Sequence, residues 1–479
     1  MDTTRRLVKN TLYLGFANLC SPLISMVLII FVSRHLGADG LGAYSAALAF
    51  VFFFEKFAQL GIHQLVLRDI ANDISRCKPY LIACTLIGLI SSLITLPALY
   101  LFLRLIHYSE NISEGTVILG LSLPFVVLSY HYQSILEGLQ RMDRRCLLSF
   151  LDVIIRVGLG VLLIHMGYGV SGALAAVVVS RIVTCLSALL LVLPFSSQGS
   201  SRIDSSIIRS LLTQTLTFLM ISLVTTVYWR IGFVMLSTMR GPGDVGVYSA
   251  AYRLKEILIA LTYSYIASLY PIMASSLPFS PSLLKRQCEL SIKYLFIITF
   301  PIGIGTWLLS PQIITFIYGP HFVESIRILQ ILIWTICIFP LGLVCARALV
   351  ATNHQKYDLW ANIFLITSDI GANLALIPRF GPVGAAVATL LSVTIFLCIQ
   401  AYFVSRILVP IRWSVLIGKP FLAGIIMGVF SYAIRDLNAA VVISLSAAFY
   451  VIILLILRTF STEERQRLRN IFHRFSLAA

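Results

Sequence analysis

Charge is scarce in this chain of 479 residues: Asp, Glu, Lys and Arg together make up 12% of it. An ordinary soluble domain carries about 25%, and a water-soluble chain of this length needs that polar surface to cover itself. Acids are scarcer than bases, 20 against 36, which leaves a net charge of +16. A basic balance raises the question of nucleic acid. The basic residues, however, lie between apolar stretches and do not gather on one domain, which is the pattern of membrane loops and excludes a nucleic-acid face. None of the nine cysteines is spaced Cys-x-x-Cys, and none of the eight histidines stands in a His-Glu-x-x-His pair. Neither a metal site nor a disulfide framework is therefore indicated, and no cofactor is expected. The apolar run from Leu12 to Val32 follows Arg5, Arg6 and Lys9 without a small-residue cleavage site. It is too long for the core of a cleaved signal and reads as a retained first transmembrane helix. Arg5-Arg6 lies too close to it for twin-arginine export.

What is present is hydrocarbon-loving sequence: 58% of residues are hydrophobic and the mean hydropathy is +0.93. The apolar residues form stretch after stretch long enough to cross ~30 Å of hydrocarbon as helix. Backbone amides cannot go unpaired in lipid, so repeated spans mean helices. The fold class is all-α, a polytopic membrane protein. Fourteen spans are expected: Asn10–Ser33, Leu41–Gln64, Pro79–Leu103, Gly115–Leu136, Leu147–His165, Val170–Leu193, Leu211–Leu236, Val247–Ser275, Leu290–Leu309, Val323–Val350, Leu359–Ile377, Pro382–Ser405, Trp413–Ile434 and Ala439–Leu457. With the N-terminus in the cytoplasm, 24 Lys and Arg fall on the cytoplasmic side and 6 on the other, a consistent positive-inside bias.

An internal repeat divides the chain. Gly42-Ala43-Tyr44-Ser45-Ala46-Ala47 opens the second span, and Gly246-Val247-Tyr248-Ser249-Ala250-Ala251 opens the eighth, 204 residues on. Tyr168-Gly169-Val170-Ser171-Gly172-Ala173 enters the sixth span, and Phe380-Gly381-Pro382-Val383-Gly384-Ala385 enters the twelfth, 212 residues on. Six helices separate equivalent positions, an even number, so the halves are expected to run parallel about an axis along the membrane normal. The expected organisation is a six-helix bundle over residues 1–200, a second over 201–408, and two further helices with a basic cytoplasmic tail over 409–479.

Two short motifs carry little. Gly167-Tyr168-Gly169-Val170-Ser171-Gly172 matches the dinucleotide fingerprint in letters, but it follows a membrane helix and not a strand. It reads as a turn, with Gly172, Ala176, Gly384 and Ala388 as small packing faces. Asn111-Ile112-Ser113 is a glycosylation sequon on the expected outer face.

The charges inside the spans carry more. Lys56, Arg156, Arg181, Arg230, Arg253 and Lys255 are cationic; Glu55, Asp152, Glu256 and Asp369 are anionic. Each costs roughly 2.5–3.5 kcal/mol near a helix centre, so they should face a watery cavity or one another. Asp152 with Arg156, and Arg253 with Glu256, have helical spacing for internal pairs. Glu55 and Lys56 are adjacent and cannot share a helix face. Lys255 has the length to snorkel. Arg181 and Arg230 have no acid nearby on their own helices and are expected to line a cavity. More bases than acids favours an anionic cargo, and phosphate or diphosphate suits arginine's paired donors. The expected binding set is Arg230, Arg253, Arg181, Arg156 and Lys56; Asp369, Glu55 and Asp152 are candidates for ion coupling.

The chain also resembles a known family. The residues are Arg34-His35-Leu36-Gly37-Ala38-Asp39-Gly40-Leu41-Gly42-Ala43-Tyr44, then Leu60-Gly61 and Arg68-Asp69-Ile70-Ala71. Gly246 to Tyr252, Tyr270-Pro271 and Leu376 to Ala386 continue the pattern. Together they resemble bacterial polysaccharide flippases of the Wzx type, in the multidrug/oligosaccharidyl-lipid/polysaccharide exporter superfamily. The drug-exporting members carry an acid in the first helix; Asn10 to Ser33 has none, which points to the polysaccharide branch. The resemblance implies a multi-pass protein of the bacterial inner membrane with both termini in the cytoplasm. It implies alternating access and a cargo of undecaprenyl-diphosphate-linked oligosaccharide repeat units for O-antigen or a related surface polysaccharide. Its partners would be that lipid-linked substrate, membrane lipid, a polysaccharide polymerase and a chain-length regulator. The rival readings are a membrane-embedded polymerase or ligase, disfavoured by short outer connections, and a flippase or exporter for capsule, teichoic or peptidoglycan precursors or drugs. The topology has a direct test. Reporter fusions after Arg144 and Phe475 should read cytoplasmic and one after Arg240 external; an external C-terminus would make the number of spans odd.

Overall fold

The computed structural model describes residues 3–105, 110–195, 205–276, 281–460 and 464. Arg202, Arg465, Arg467, Arg469 and Arg474 from the loop reading lie outside them, as do the side chains of Arg5, Arg6, Lys9 and the Asn111 sequon. The helices are α1 (Thr3–Gln59), α2 (His63–Asn72), α3 (Cys77–Leu105), α4 (Glu110–Gly120), α5 (Leu123–Gly138), α6 (Met142–His165), α7 (Gly169–Val192), α8 (Ser205–Arg240), α9 (Pro242–Ser276), α10 (Pro281–Tyr318), α11 (Glu324–Leu332), α12 (Thr335–Ala351), α13 (Gln355–Phe403), α14 (Trp413–Ala433) and α15 (Ala439–Ile456). All fourteen expected spans are helical. Among the described residues, ten stretches are long and apolar enough to cross a membrane, and two of them, Gly15–Gln59 and Gln355–Leu408, each contain two expected spans. The chain is an all-helical, polytopic membrane protein.

The differences from expectation are local. Spans one and two are two helices that meet at a kink at Gly37 (φ 67°, ψ −165°), and spans eleven and twelve meet in the same way at Gly381 (φ 55°, ψ −134°). Only glycine takes such angles without strain, so one residue turns the chain where a loop was expected. Span four is instead two helices. Pro124 in the first turn of α5 lacks the N–H that would continue α4. The short helix α2 lies in a stretch read as loop. It buries Leu65, Val66 and Ile70 and leaves Arg68 in solvent. Tyr80 of α3 donates to Asp69, and Arg68 Nε donates to the same carboxylate at 2.8 Å. Partial burial works to raise the Asp69 carboxyl, but these two hydrogen bonds outweigh it and hold it below the usual carboxylate range.

Two compact units are distinguished: Met1–Ala260 with Ile317–Ser325 and Ile366–Thr389, and Leu261–Phe316 with Ile326–Leu365 and Leu390–Ala479. In the first, α6 packs on α7 and on the first arm of α1, while α5 packs on α2, α3 and α7. In the second, α14 and α15 pair through a Ser431–Ser446 hydrogen bond of 2.7 Å, and Gly424 of α14 lies against Phe300.

The repeat seen in the sequence is a physical contact inside the first unit. Ser45 and Ser249, 204 residues apart, hydrogen-bond each other at 2.7 Å and are both buried. A Cβ on Gly42 would fall 1.7 Å from the carbonyl oxygen of Pro242, and one on Gly246 would fall 1.9 Å from that of Ala38. Ala38 and Pro242 are separated by the same 204 residues. Residue i therefore meets j as j meets i, the signature of a two-fold contact, here between the second arm of α1 and α9. Without side chains at the crossing, backbone lies on backbone, the closest approach helices can make. Gly246→Ala should push the pair apart and lower the thermal unfolding temperature by roughly 5 °C or more. Gly158→Ala on α6, where a Cβ meets nothing within 4 Å, should leave it unchanged. Equal behaviour of the two variants would dismiss the crossing as a packing constraint.

Candidate functional site

Helices α8 and α9 turn back on each other at Gly241 (φ 98°). Arg230 and Glu256 stand eleven and fifteen residues from that turn, about 16 and 22 Å along their helices at ~1.5 Å per residue. There, one carboxylate serves two guanidinium groups. Glu256 Oε2 lies 3.0 Å from Arg253 Nη1, and Oε1 lies 3.6 Å from Arg230 Nη1. The Nε atoms of Arg230 and Arg253 are buried without a hydrogen-bond partner. The Arg230 guanidinium is 5.0 Å from the ring of Phe52 on α1, and the Lys56 ammonium is 5.0 Å from that same ring. Phe52, Lys56, Ser222, Thr226, Trp229, Arg230 and Glu256 enclose a cavity of about 320 Å³. Two cations thus line it with one carboxylate, which a third, Arg253, also shares.

A second cavity, about 380 Å³, lies among α1, α5, α6 and α7 and is bordered by Glu55, Gln59, Arg145, Asp152, Arg156 and Arg181 among others. Its bases are individually matched. Arg181 reaches Glu55 at 3.1 Å, Arg156 reaches Asp152 at 3.4 Å, and Arg145 reaches Glu137 at 2.9 Å. Gln59 links the two cavities: it accepts from Lys56 Nζ at 2.8 Å and donates to Glu55 Oε1 at 2.9 Å. Glu55 and Lys56, unable to share a helix face, border different cavities. A third space is only about 10 Å³, bordered by Lys255 and Asp369 with Tyr228, Tyr248, Tyr252 and Thr389. Lys255 is 1% exposed and does not snorkel; its ammonium lies 4.3 Å from the Tyr252 ring and 5.3 Å from that of Trp229. Among the described residues no group of His, Cys, Asp and Glu could hold a metal ion.

A family model for polysaccharide biosynthesis proteins matches residues 7–277, more than half of the chain. The chain belongs to that family. It is a transporter of the flippase kind, and not an enzyme. Among its relatives, a probable low-salt glycan biosynthesis flippase of Haloferax volcanii is 22% identical over 443 residues, covering 88% of this chain and 89% of that protein. A putative O-antigen transporter of Shigella flexneri is 20% identical, covering 80% of this chain and 94% of its own length. Of solved structures, the lipid II flippase MurJ in an inward closed conformation has a TM-score of 0.79 at 17% identity, covering 93% of this chain and 99% of that one. An inward-facing multidrug resistance transporter of the MATE family has a TM-score of 0.68 at 18% identity, covering 84% and 98%. These last two likenesses show the fold.

Within this polysaccharide-family fold, the residues expected from the sequence are shared out among three places. Arg230 and Lys56 line the central cavity, with Arg253 behind Glu256. Arg156 and Arg181 line the second cavity, each with an acid. Asp369 borders the small void with Lys255, while Glu55 and Asp152 are the partners of Arg181 and Arg156. The i,i+4 and i,i+3 pairs anticipated from spacing are present. The acids serving Arg181 and Arg230 come from neighbouring helices, which spacing along one helix does not reveal. Trp229, Thr226, Ser222 and Phe52 escape a reading based on charge; the i, i+4, i+7 spacing of Ser222, Thr226 and Trp229 on α8 was the available signal for three of them.

The pairings separate structural from cargo-facing arginines. Arg181→Ala strands the buried Glu55 carboxylate at a cost of about 3–5 kcal/mol. It should reduce monodisperse protein extracted from the membrane several-fold, and the double change with Glu55→Gln should restore much of it. Normal yield with lost transport would instead make Arg181 a cargo contact.

Proposed function

We propose that the chain reorients undecaprenyl-diphosphate-linked oligosaccharide repeat units, for O-antigen or a related surface polysaccharide, across the bacterial inner membrane. The observation that carries this reading is the cavity that Lys56 and Arg230 line with a single acid, Glu256, whose carboxylate is also shared with Arg253. An anion entering there replaces the missing negative charge and the solvent the cations have lost. A neutral or cationic cargo does neither. Arginine suits a diphosphate because its planar fork donates two parallel hydrogen bonds. The glycan biosynthesis flippase and O-antigen transporter among the relatives support the same cargo class.

In this reading two parallel six-helix bundles, residues 1–200 and 201–408, open alternately to either side about the Ser45–Ser249 contact, with 409–479 added beside them. Both termini lie in the cytoplasm. The under-matched charge of the cavity favours Lys56 and Arg230 as the diphosphate contacts over Arg253, Arg156 and Arg181, which already have acids. Asp369, Glu55 and Asp152 are the candidates to accompany cargo with a coupling ion. A polymerase and a chain-length regulator would take the product on the outer face. A peptidoglycan precursor is the second reading, favoured by the extent of the likeness to the lipid II flippase fold.

Deletion should abolish surface polysaccharide while lipid-linked units accumulate facing the cytoplasm; failure of wall synthesis with intact polysaccharide would decide for the second reading. Arg230→Ala should cut complementation at least tenfold at normal protein level. Glu256 keeps Arg253 at 3.0 Å in that variant, so no stranded acid destabilises it. Arg230→Lys should rescue only in part, because charge is kept and the fork is lost. A fully active Arg230→Ala would remove this cavity from the cargo path.

A further inference from the structure

The cavity's two walls differ in chemistry. The α1 wall offers Lys56 and Phe52, while the α8 wall offers two hydroxyls and an indole. Ser222, Thr226 and Trp229 stand at i, i+4 and i+7, one face of α8 about 10 Å long at ~1.5 Å per residue. Thr226 Oγ1 spends its proton on the Ser222 carbonyl at 2.8 Å, which leaves its lone pairs to accept from a ligand hydroxyl. Trp229 borders both the cavity and the small void of Lys255. It is held from several sides: the Tyr228 ring centroid is 5.3 Å away and edge-on, the Lys255 ammonium is 5.3 Å from its ring, and its carbonyl accepts from Tyr252 at 3.4 Å. A large, restrained aromatic face beside free hydroxyl acceptors recognises a molecule with polarised C–H bonds on one side and hydroxyls at its rim. A phosphate uses neither, and a lipid tail uses no hydroxyl.

We infer that this face of α8 is a sugar subsite, taking the pyranose joined directly to the diphosphate that Lys56 and Arg230 hold. The inference rests on the anionic-cargo reading above and assigns the half of the cavity that reading leaves without a role. At about 320 Å³ the cavity is at the small end of ligand sites, so it reads the diphosphate and its first sugar and leaves the rest of the glycan outside. Arg230 supplies affinity for every diphosphate carrier; Trp229, with Thr226 and Ser222, discriminates among sugars.

The test compares binding of two lipids by the purified full-length protein in nanodiscs: bare undecaprenyl diphosphate, and the same lipid carrying a single N-acetylhexosamine. Wild type should bind the sugar-bearing lipid about tenfold more tightly. Trp229→Ala should bring that ratio close to one while binding of the bare lipid changes less than about twofold, and Trp229→Phe should keep part of the preference. Arg230→Ala should weaken both lipids alike and preserve the ratio. Ser222→Ala, which removes one half-buried hydroxyl from the cavity wall, should lower the ratio on its own and covers the case of a Trp229 variant that does not fold. A wild type that binds both lipids equally, or a ratio untouched by Trp229→Ala and Ser222→Ala, overturns the subsite while leaving the anionic-cargo reading in place. Binding of neither lipid overturns both.

Discussion

A charge in hydrocarbon must be matched or hydrated, and the interior of this protein is arranged around that cost. Arg181 takes Glu55 from another helix, Arg156 takes Asp152 from its own, and Arg253 takes Glu256 three residues on. The first pair ties α7 to α1, and the other two neutralise charge within α6 and within α9. Arg230 is the exception: its acid is already held at 3.0 Å by Arg253, and its own contact is the long one at 3.6 Å. The same accounting that makes the paired residues structural makes the under-paired one available to an incoming anion.

The crossing of the α1 arm with α9 supplies the geometry in which that accounting occurs. Gly42 and Gly246 bring two backbones into contact, and Ser45 with Ser249 closes the crossing by a hydrogen bond. Further along the same two helices the repeat partners are no longer alike. Phe52 stands where the other half has Glu256, and Ala49 where it has Arg253. Symmetry is kept where helices must pack and abandoned where they face the cavity. A transporter that grips an asymmetric cargo on a symmetric frame requires that division, because the packing constraint acts equally on both halves and the cargo does not.

The neighbouring cavities give the site a graded surround. Gln59 passes from Lys56 to Glu55, so the central cavity and the second cavity share one hydrogen-bonded path. Trp229 separates the central cavity from the void of Lys255 and Asp369. A change of charge in one place is therefore felt in the next through a single side chain, over distances that the low dielectric of the interior does not screen.

Hydropathy, read along the chain, determined the all-helical class, the long apolar stretches and the list of interior charges, because a bilayer imposes a length and a polarity on every segment independently of its neighbours. The 204-residue repeat was legible for the same reason: turn and packing glycines are local requirements. The partners were not legible. Whether Arg230 meets an acid depends on Glu256 of the next helix and on how that carboxylate is shared with Arg253, and the helix α2 depends on apolar contacts that only the folded bundle provides. Charge at a position is a property of the sequence; whether that charge is spent or available is decided by distances between helices, and those exist only in the tertiary structure.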